Sequence, residues 1–234
     1  MKHFAKAAVA AMVLIAAAAC GSAGKADTVL RYVSPDDAKN TLVIEASAGG
    51  DMRIEDDRGQ VVLVRDGVNY LLFSPPAGGR AVVRLEDYLA VGAEVRARMI
   101  EDGAMTAGED NTRYEVRPKG SRTIGKWKGE AVTIGPVDAS GVTQDIVVST
   151  DPSLADVRQV AVTALEAFEK PSRAVLVYPR QFQQLVGETL ARGMPVSYDG
   201  RDLSEIGHGA VAPDRLELPQ TPLTREQLRT LMAR

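Results

Sequence analysis

Apolar and polar residues along the chain change period several times, and each change marks an element. Residues 29–33, 41–46 and 51–55 are β-type runs, and Met52-Arg53-Ile54-Glu55 alternates apolar with charged at the period of a strand. Ser34-Pro35-Asp36-Asp37 and Gly49-Gly50 separate them as turns. Asp66-Gly67 stands between Val61-Val62-Leu63-Val64-Arg65 and Val68-Asn69-Tyr70-Leu71-Leu72-Phe73, which predicts a hairpin with a two-residue type I′ turn. That turn sets a register in which Arg65 faces Val68, Leu63 faces Tyr70 and Val61 faces Leu72, leaving Val62, Val64, Leu71 and Phe73 on the other side. Both sides are apolar, so both must be covered or must line a cavity.

Period 3.6 replaces period two farther on. Leu85, Tyr88, Leu89, Val95 and Met99 make one helical stripe, and Leu154, Val157, Ala161, Leu165 and Phe168 a stronger one. The second is preceded by Asp151-Pro152-Ser153 and is expected to stop at Lys170-Pro171. A third helix spans 179–192 with Phe182, Leu185, Val186 and Leu190 inward, ended by Gly193 and Pro195. Thr224 and Gln227 form a capping box for a last short helix, with Leu223 and Leu228 as its hydrophobic staple. Residues 114–117, 130–134, 143–149, 195–198 and 203–206 read as further strands. Strands joined by tight turns predict a mainly antiparallel sheet with the helices on one side, an α+β fold.

The first residues have a different character. Lys2, His3 and Lys6 precede an apolar run from Ala7 to Ala19, the charge-then-apolar order of a secretory signal. A transmembrane helix needs about 20 apolar residues, and this alanine-rich run is shorter. It ends in Ala17-Ala18-Ala19-Cys20-Gly21, with the chain's single cysteine. This order resembles the lipobox of bacterial lipoproteins, which implies a diacylglyceryl thioether on Cys20 and cleavage before it. Ala17 stands where that motif usually has leucine, so cleavage after Ala26, giving a soluble periplasmic protein, is the alternative. The division expected is a signal peptide over 1–19, a lipidated tether over 20–27 and one domain over 28–234. By the same resemblance, Gly21 in place of an aspartate after the cysteine implies the periplasmic side of the outer membrane.

Charge narrows the partners. With 28 Lys and Arg against 31 Asp and Glu the chain is mildly acidic, which argues against nucleic acid, whose phosphates require clustered cations. Loss of Lys2 and Lys6 with the leader makes it more so. One cysteine allows no internal disulfide, so packing must hold the fold.

The order of features resembles the LolA/LolB-like superfamily of envelope proteins, in its uncharacterised lipoprotein branch. The resemblance rests on the lipoprotein-like start, the early meander Thr41-Leu42-Val43-Ile44-Glu45, Asp51-Met52-Arg53-Ile54-Glu55 and 61–73, the segment Arg122 to Thr133, a helical insert and the late Gly193-Met194-Pro195-Val196 strand. It covers nearly the whole mature chain as order and texture. It implies an incomplete antiparallel barrel, its concave face covered by helices, that binds an apolar ligand such as a lipid or a lipoprotein acyl chain, or an envelope protein partner, without catalysis or cofactor. A monomer attached to the membrane through its lipid is expected. The alternative is a structural or sensory envelope protein whose core is filled by its own helices. The inward positions nominated by strand parity are Leu42, Ile44, Met52, Ile54, Val61, Leu63, Tyr70 and Leu72.

Recognisable catalytic patterns are few. His208, in Ile206-Gly207-His208-Gly209-Ala210, is the one histidine left after the leader, read as lying in a turn, and no G-x-S-x-G elbow accompanies it. One histidine and no mature cysteine besides the anchor leave nothing for an ordinary zinc site. Gly120-Ser121-Arg122-Thr123-Ile124-Gly125-Lys126 matches the start of a phosphate loop, but Trp127 occupies the Ser/Thr position and a strand follows instead of a helix. The paired acids Asp36-Asp37, Asp56-Asp57 and Glu109-Asp110 fall in turns, where carboxylates cap amides or face water. From Val116 to Gly129 there are five cations and no acid, and Arg122, Lys126, Trp127 and Lys128 are the candidate contact surface for anionic headgroups or an acidic partner.

Overall fold

The computed structural model describes residues 26–75, 78–104, 112–138, 141–175 and 179–232, without the side chains of 172–175. The leader, Cys20, the tether before Ala26 and the acid pair Glu109-Asp110 lie outside the described residues. The strands are β1 (Thr28–Val33), β2 (Thr41–Ala46), β3 (Met52–Asp56), β4 (Val61–Arg65), β5 (Val68–Phe73), β6 (Ala81–Arg84), β7 (Tyr114–Ile124), β8 (Trp127–Pro136), β9 (Gln144–Ser149), β10 (Met194–Tyr198) and β11 (Arg201–His208). The helices are α1 (Leu85–Glu101), α2 (Ala155–Val175), α3 (Arg180–Leu190) and α4 (Arg225–Met232).

All eleven strands join one open sheet in the order β6-β5-β4-β3-β2-β1-β11-β10-β9-β8-β7, each neighbour antiparallel. The β4–β5 hairpin has the register its turn predicts, Arg65 with Val68 and Val61 with Leu72, and Asp66 and Gly67 take φ of 50° and 74°. β7 and β8 run far beyond the short strands expected there, because Gly125 at φ 56° opens a two-residue turn that pairs Ile124 with Trp127. The phosphate-loop-like segment is therefore a hairpin tip. Another difference lies in α2, which continues through Pro171 to Val175 instead of stopping before it. Proline withholds a single amide bond, and its ring is buried against the core. On α1 the buried residues are Leu85 and Val91, whereas Met99 is exposed.

Helices α1, α2 and α3 pack on the same face of the sheet, α1 over β5 and β6, α2 over β1 to β4 and β10, and α3 over β7 to β9. Leu30, Leu42, Ile44 and Ile54 form one apolar cluster there with Val157, Ala161 and Leu165 of α2. The opposite face is crossed by the segment after β11. Its Arg215 pairs with Glu45 at 2.8 Å and Glu55 at 3.2 Å, and Leu223 donates its amide to Val82 on edge strand β6. The segment then rounds that edge, and Leu228 of α4 enters the helix-side core. Arg122 of β7 meets Asp202 of β11 at 2.9 Å, although three strands separate them. On a flat sheet four spacings of about 4.8 Å would hold them about 19 Å apart, so this half of the sheet curls strongly.

Candidate functional site

The eight nominated cavity residues divide between the two faces. Leu42, Ile44, Met52 and Ile54 belong to the helix-side cluster. Val61, Leu63 and Leu72 lie on the other side, in a separate cluster with Val82 that Tyr70 and Leu218 flank. Ile54 pairs with Val62 and Arg53 with Leu63, so Leu63 shares the face of Arg53, not that of Ile54. The expectation that all eight look into one concavity is thus corrected: Val61, Leu63, Tyr70 and Leu72 are covered by the chain's own C-terminal segment. On the helix side, Leu42, Ile44 and Ile54 are no more than 1 % exposed, covered by the helices.

A space remains where α2 and one rim of the sheet fail to meet. It has a volume of about 430 Å³ and lies between the ends of β1, β2, β3 and β11 and the first half of α2. Ala46 and Met52 are buried in its wall beside the half-buried Val160, while Asp156, Gln159 and His208 are exposed at its mouth. The lining therefore passes from apolar to polar. Asp27 fastens one side of the mouth: its carboxylate accepts the amides of Val211 and Ala48, both at 2.8 Å. These bonds, that from Val211 the stronger, hold its carboxyl below the ordinary value of 3.8.

Ser47, His208 and Asp156 all line this space, which invites a test for a nucleophilic triad. Ser47 Oγ instead accepts the amide of Asp51 at 3.1 Å. Among the described residues no hydrogen bond or ion pair reaches the His208 ring, which ends strand β11 and does not sit in a turn as expected. The geometry lacks the base-to-nucleophile bond such chemistry requires. Among the described residues no three His, Cys, Asp or Glu side chains are grouped to hold a metal ion. None of their helices is long and apolar enough to cross a membrane.

His208 also borders a second, larger cleft of about 820 Å³ beside β11. The hairpin tip Ile124–Trp127 forms its far wall. Trp127 is only 7 % exposed and belongs to the core cluster, so it is not the surface ring expected from its basic surroundings. The indole is amphipathic and large, and the curl of the sheet turns it inward while Lys126 and Lys128 stay exposed. Lys126 lies over the ring at 5.3 Å from its centroid, and Arg122 is held by Asp202. Of the four contact candidates, two are therefore surface lysines with no ion pair among the described residues, one is an ion-paired arginine and one is core.

The fold and this pair of spaces define an α+β protein built on an open antiparallel sheet, with a recess graded from apolar to polar on its rim and a second cleft beside β11. No protein-family model, curated protein or solved structure matches the chain.

Proposed function

We propose that this chain is a lipid-anchored envelope protein of the LolA-like kind that holds a single-chain amphiphile at the rim of its sheet and acts by binding rather than catalysis. The observation that carries this reading is the 430 Å³ space graded from Met52, Ala46 and Val160 to Asp156 and His208. Its size falls in the range of small-molecule sites, roughly 300–1,000 Å³. Each ~100 Å² of chain surface withdrawn from water contributes about 2.5 kcal/mol. Polar groups at the mouth suit a headgroup, and Ala26, on the wall, is six residues from Cys20. An extended tether of that length spans about 20 Å, which keeps the mouth close to the bilayer in which a Cys20 lipid sits. On this reading the protein is a monomer on the periplasmic side of the outer membrane.

Mass spectrometry of the full chain extracted from membranes tests the proposal. Lipid or fatty acid that co-purifies, and is lost in Val160→Trp while the circular dichroism stays native, is the expected result. A second reading, a structural protein with a self-filled core, is favoured by the burial of Leu42, Ile44 and Ile54 under the helices. Protein that carries no lipid and takes up no added fatty acid overturns the first reading in favour of the second. Cys20→Ala tests the anchor separately, and release from the membrane fraction is expected.

A further inference from the structure

Strands β10 and β11 leave the turn at Asp199-Gly200 together, yet they pair at only two positions, Tyr198 with Arg201 and Ser197 with Asp202. Past Asp202, β11 runs on to His208 with β1 as its one strand partner among the described residues. The cause is in β10. Pro195 has no amide hydrogen to give a ladder, and the register with β9 slips between Pro195 and Ser197, bending β10 away. The result is an unpaired strand edge, Leu203 to His208, inside the sheet and facing the 820 Å³ cleft. Proteins usually blunt such an edge with proline, lysine or a covering segment. Along those positions there is no proline or lysine, and the acid Glu205 is drawn toward Arg31 of β1 at 4.0 Å.

Two side chains on the cleft wall carry a buried polar atom without a hydrogen-bond partner among the described residues, Nε1 of Trp127 and Oδ1 of Asp202. An indole N–H can only donate and a carboxylate oxygen can only accept. Neither atom is open to solvent in this structure, so the pair is a property of the cleft wall, and the unpaired edge and the charge of the hairpin carry the choice of partner. Charge selects among polypeptides. Lys126 lines the cleft, with Lys128 and Arg122 on the same hairpin; the two lysines are exposed and form no ion pair among the described residues, whereas the acids of the cleft wall, Asp202 and Glu205, are matched by Arg122 at 2.9 Å and Arg31 at 4.0 Å.

We propose that the cleft between β11 and the Ile124–Trp127 hairpin tip takes an extended acidic segment of another polypeptide, added as a strand along Leu203 to His208. Such binding uses backbone hydrogen bonds for affinity and side-chain pockets for selectivity. Six edge residues match a segment of about 20 Å. The cleft meets the rim cavity at His208, which lines both, but the proposal does not depend on a ligand in that cavity.

The test selects random displayed peptides of about ten residues on the purified full chain. Enrichment of peptides that alternate apolar with acidic residues is expected. Reversal of charge in the exposed pair, Lys126→Glu with Lys128→Glu, is expected to weaken them at least about tenfold. N-methylation of every second backbone amide is expected to abolish binding in one frame and spare it in the other, since only alternate amides face a neighbouring strand. The proposal is overturned by failure to enrich any peptide, by enrichment of basic ones, by indifference to N-methylation in both frames, or by unchanged affinity for the double variant. Lysine-dependent binding to phosphatidylglycerol vesicles without any peptide enrichment also overturns it, assigning the basic hairpin to a membrane surface instead.

Discussion

The hydroxyl of Tyr32 on β1 donates to the carbonyl of Pro195 on β10 at 2.8 Å, both groups buried. It spans the gap left where β10 departs from β11, and satisfies a carbonyl on the stretch of β10 that β11 does not reach. Burial pushes the phenol far above its ordinary pKa, so it remains a donor at every physiological pH. Tyr32→Phe keeps the ring and strands the carbonyl, and should cost about 1–2 kcal/mol. Urea unfolding is the measurement, with a lower midpoint at unchanged slope expected. An unaltered midpoint would mean that water replaces the bond.

The last helix is held by one apolar side chain more than by its charges. Leu228 is fully buried, and Leu228→Ala should destabilise by about 2–4 kcal/mol. Arg229 grips Glu94 at 2.7 Å, but both are solvent-exposed, so Arg229→Ala should leave the unfolding midpoint within experimental scatter. Equal losses from the two variants would reverse this ranking.

Acid should loosen the mouth of the rim cavity. The folded-state pKa of Asp27 lies below its unfolded value of 3.8, so the carboxylate's contribution is complete above that pH and disappears as pH falls through the depressed folded value. The amide resonances of Val211 and Ala48 should titrate together with a midpoint under 3.8. A midpoint at or above 3.8 would contradict the hydrogen-bonded carboxylate.

Two glycines should respond with opposite sign to alanine. A Cβ on Gly129 meets the Val148 carbonyl oxygen at 2.7 Å and Val147 Cγ1 at 2.8 Å, so Gly129→Ala should cost about 1–3 kcal/mol. Gly187, inside α3, has nothing within 4 Å of that position, and Gly187→Ala should stabilise by about 0.5–1 kcal/mol through helix propensity. Thermal unfolding of both variants decides the matter.

Local chemistry was readable wherever a turn dictated the pairing. Asp66-Gly67 determines the β4–β5 register, and Thr224 with Gln227 caps α4 through reciprocal bonds of 3.2 and 2.9 Å. Asp199-Gly200 has the same composition as Asp66-Gly67 and takes closely similar positive φ values, 50° and 72°, so the β10–β11 hairpin was signalled in the chain as well. Strand β6 is only Ala81–Arg84 and runs directly into α1, too short for its period to register. The candidate sites were less accessible. Ala46, Met52, Val160 and His208 come together from four separate elements, and no spacing along the chain relates them.

Apart from β6, the order of strands and helices, the tight hairpins and the presence of apolar residues on both faces of β4–β5 follow from neighbouring residues, because turn geometry and the two-residue period act over a few positions. Which face meets the helices, which meets the C-terminal segment, that Trp127 turns inward, and that β10 parts from β11 were decided by folding. Parity assigns side chains to the same face, but only the path of the distant chain determines what covers that face and where it stays open.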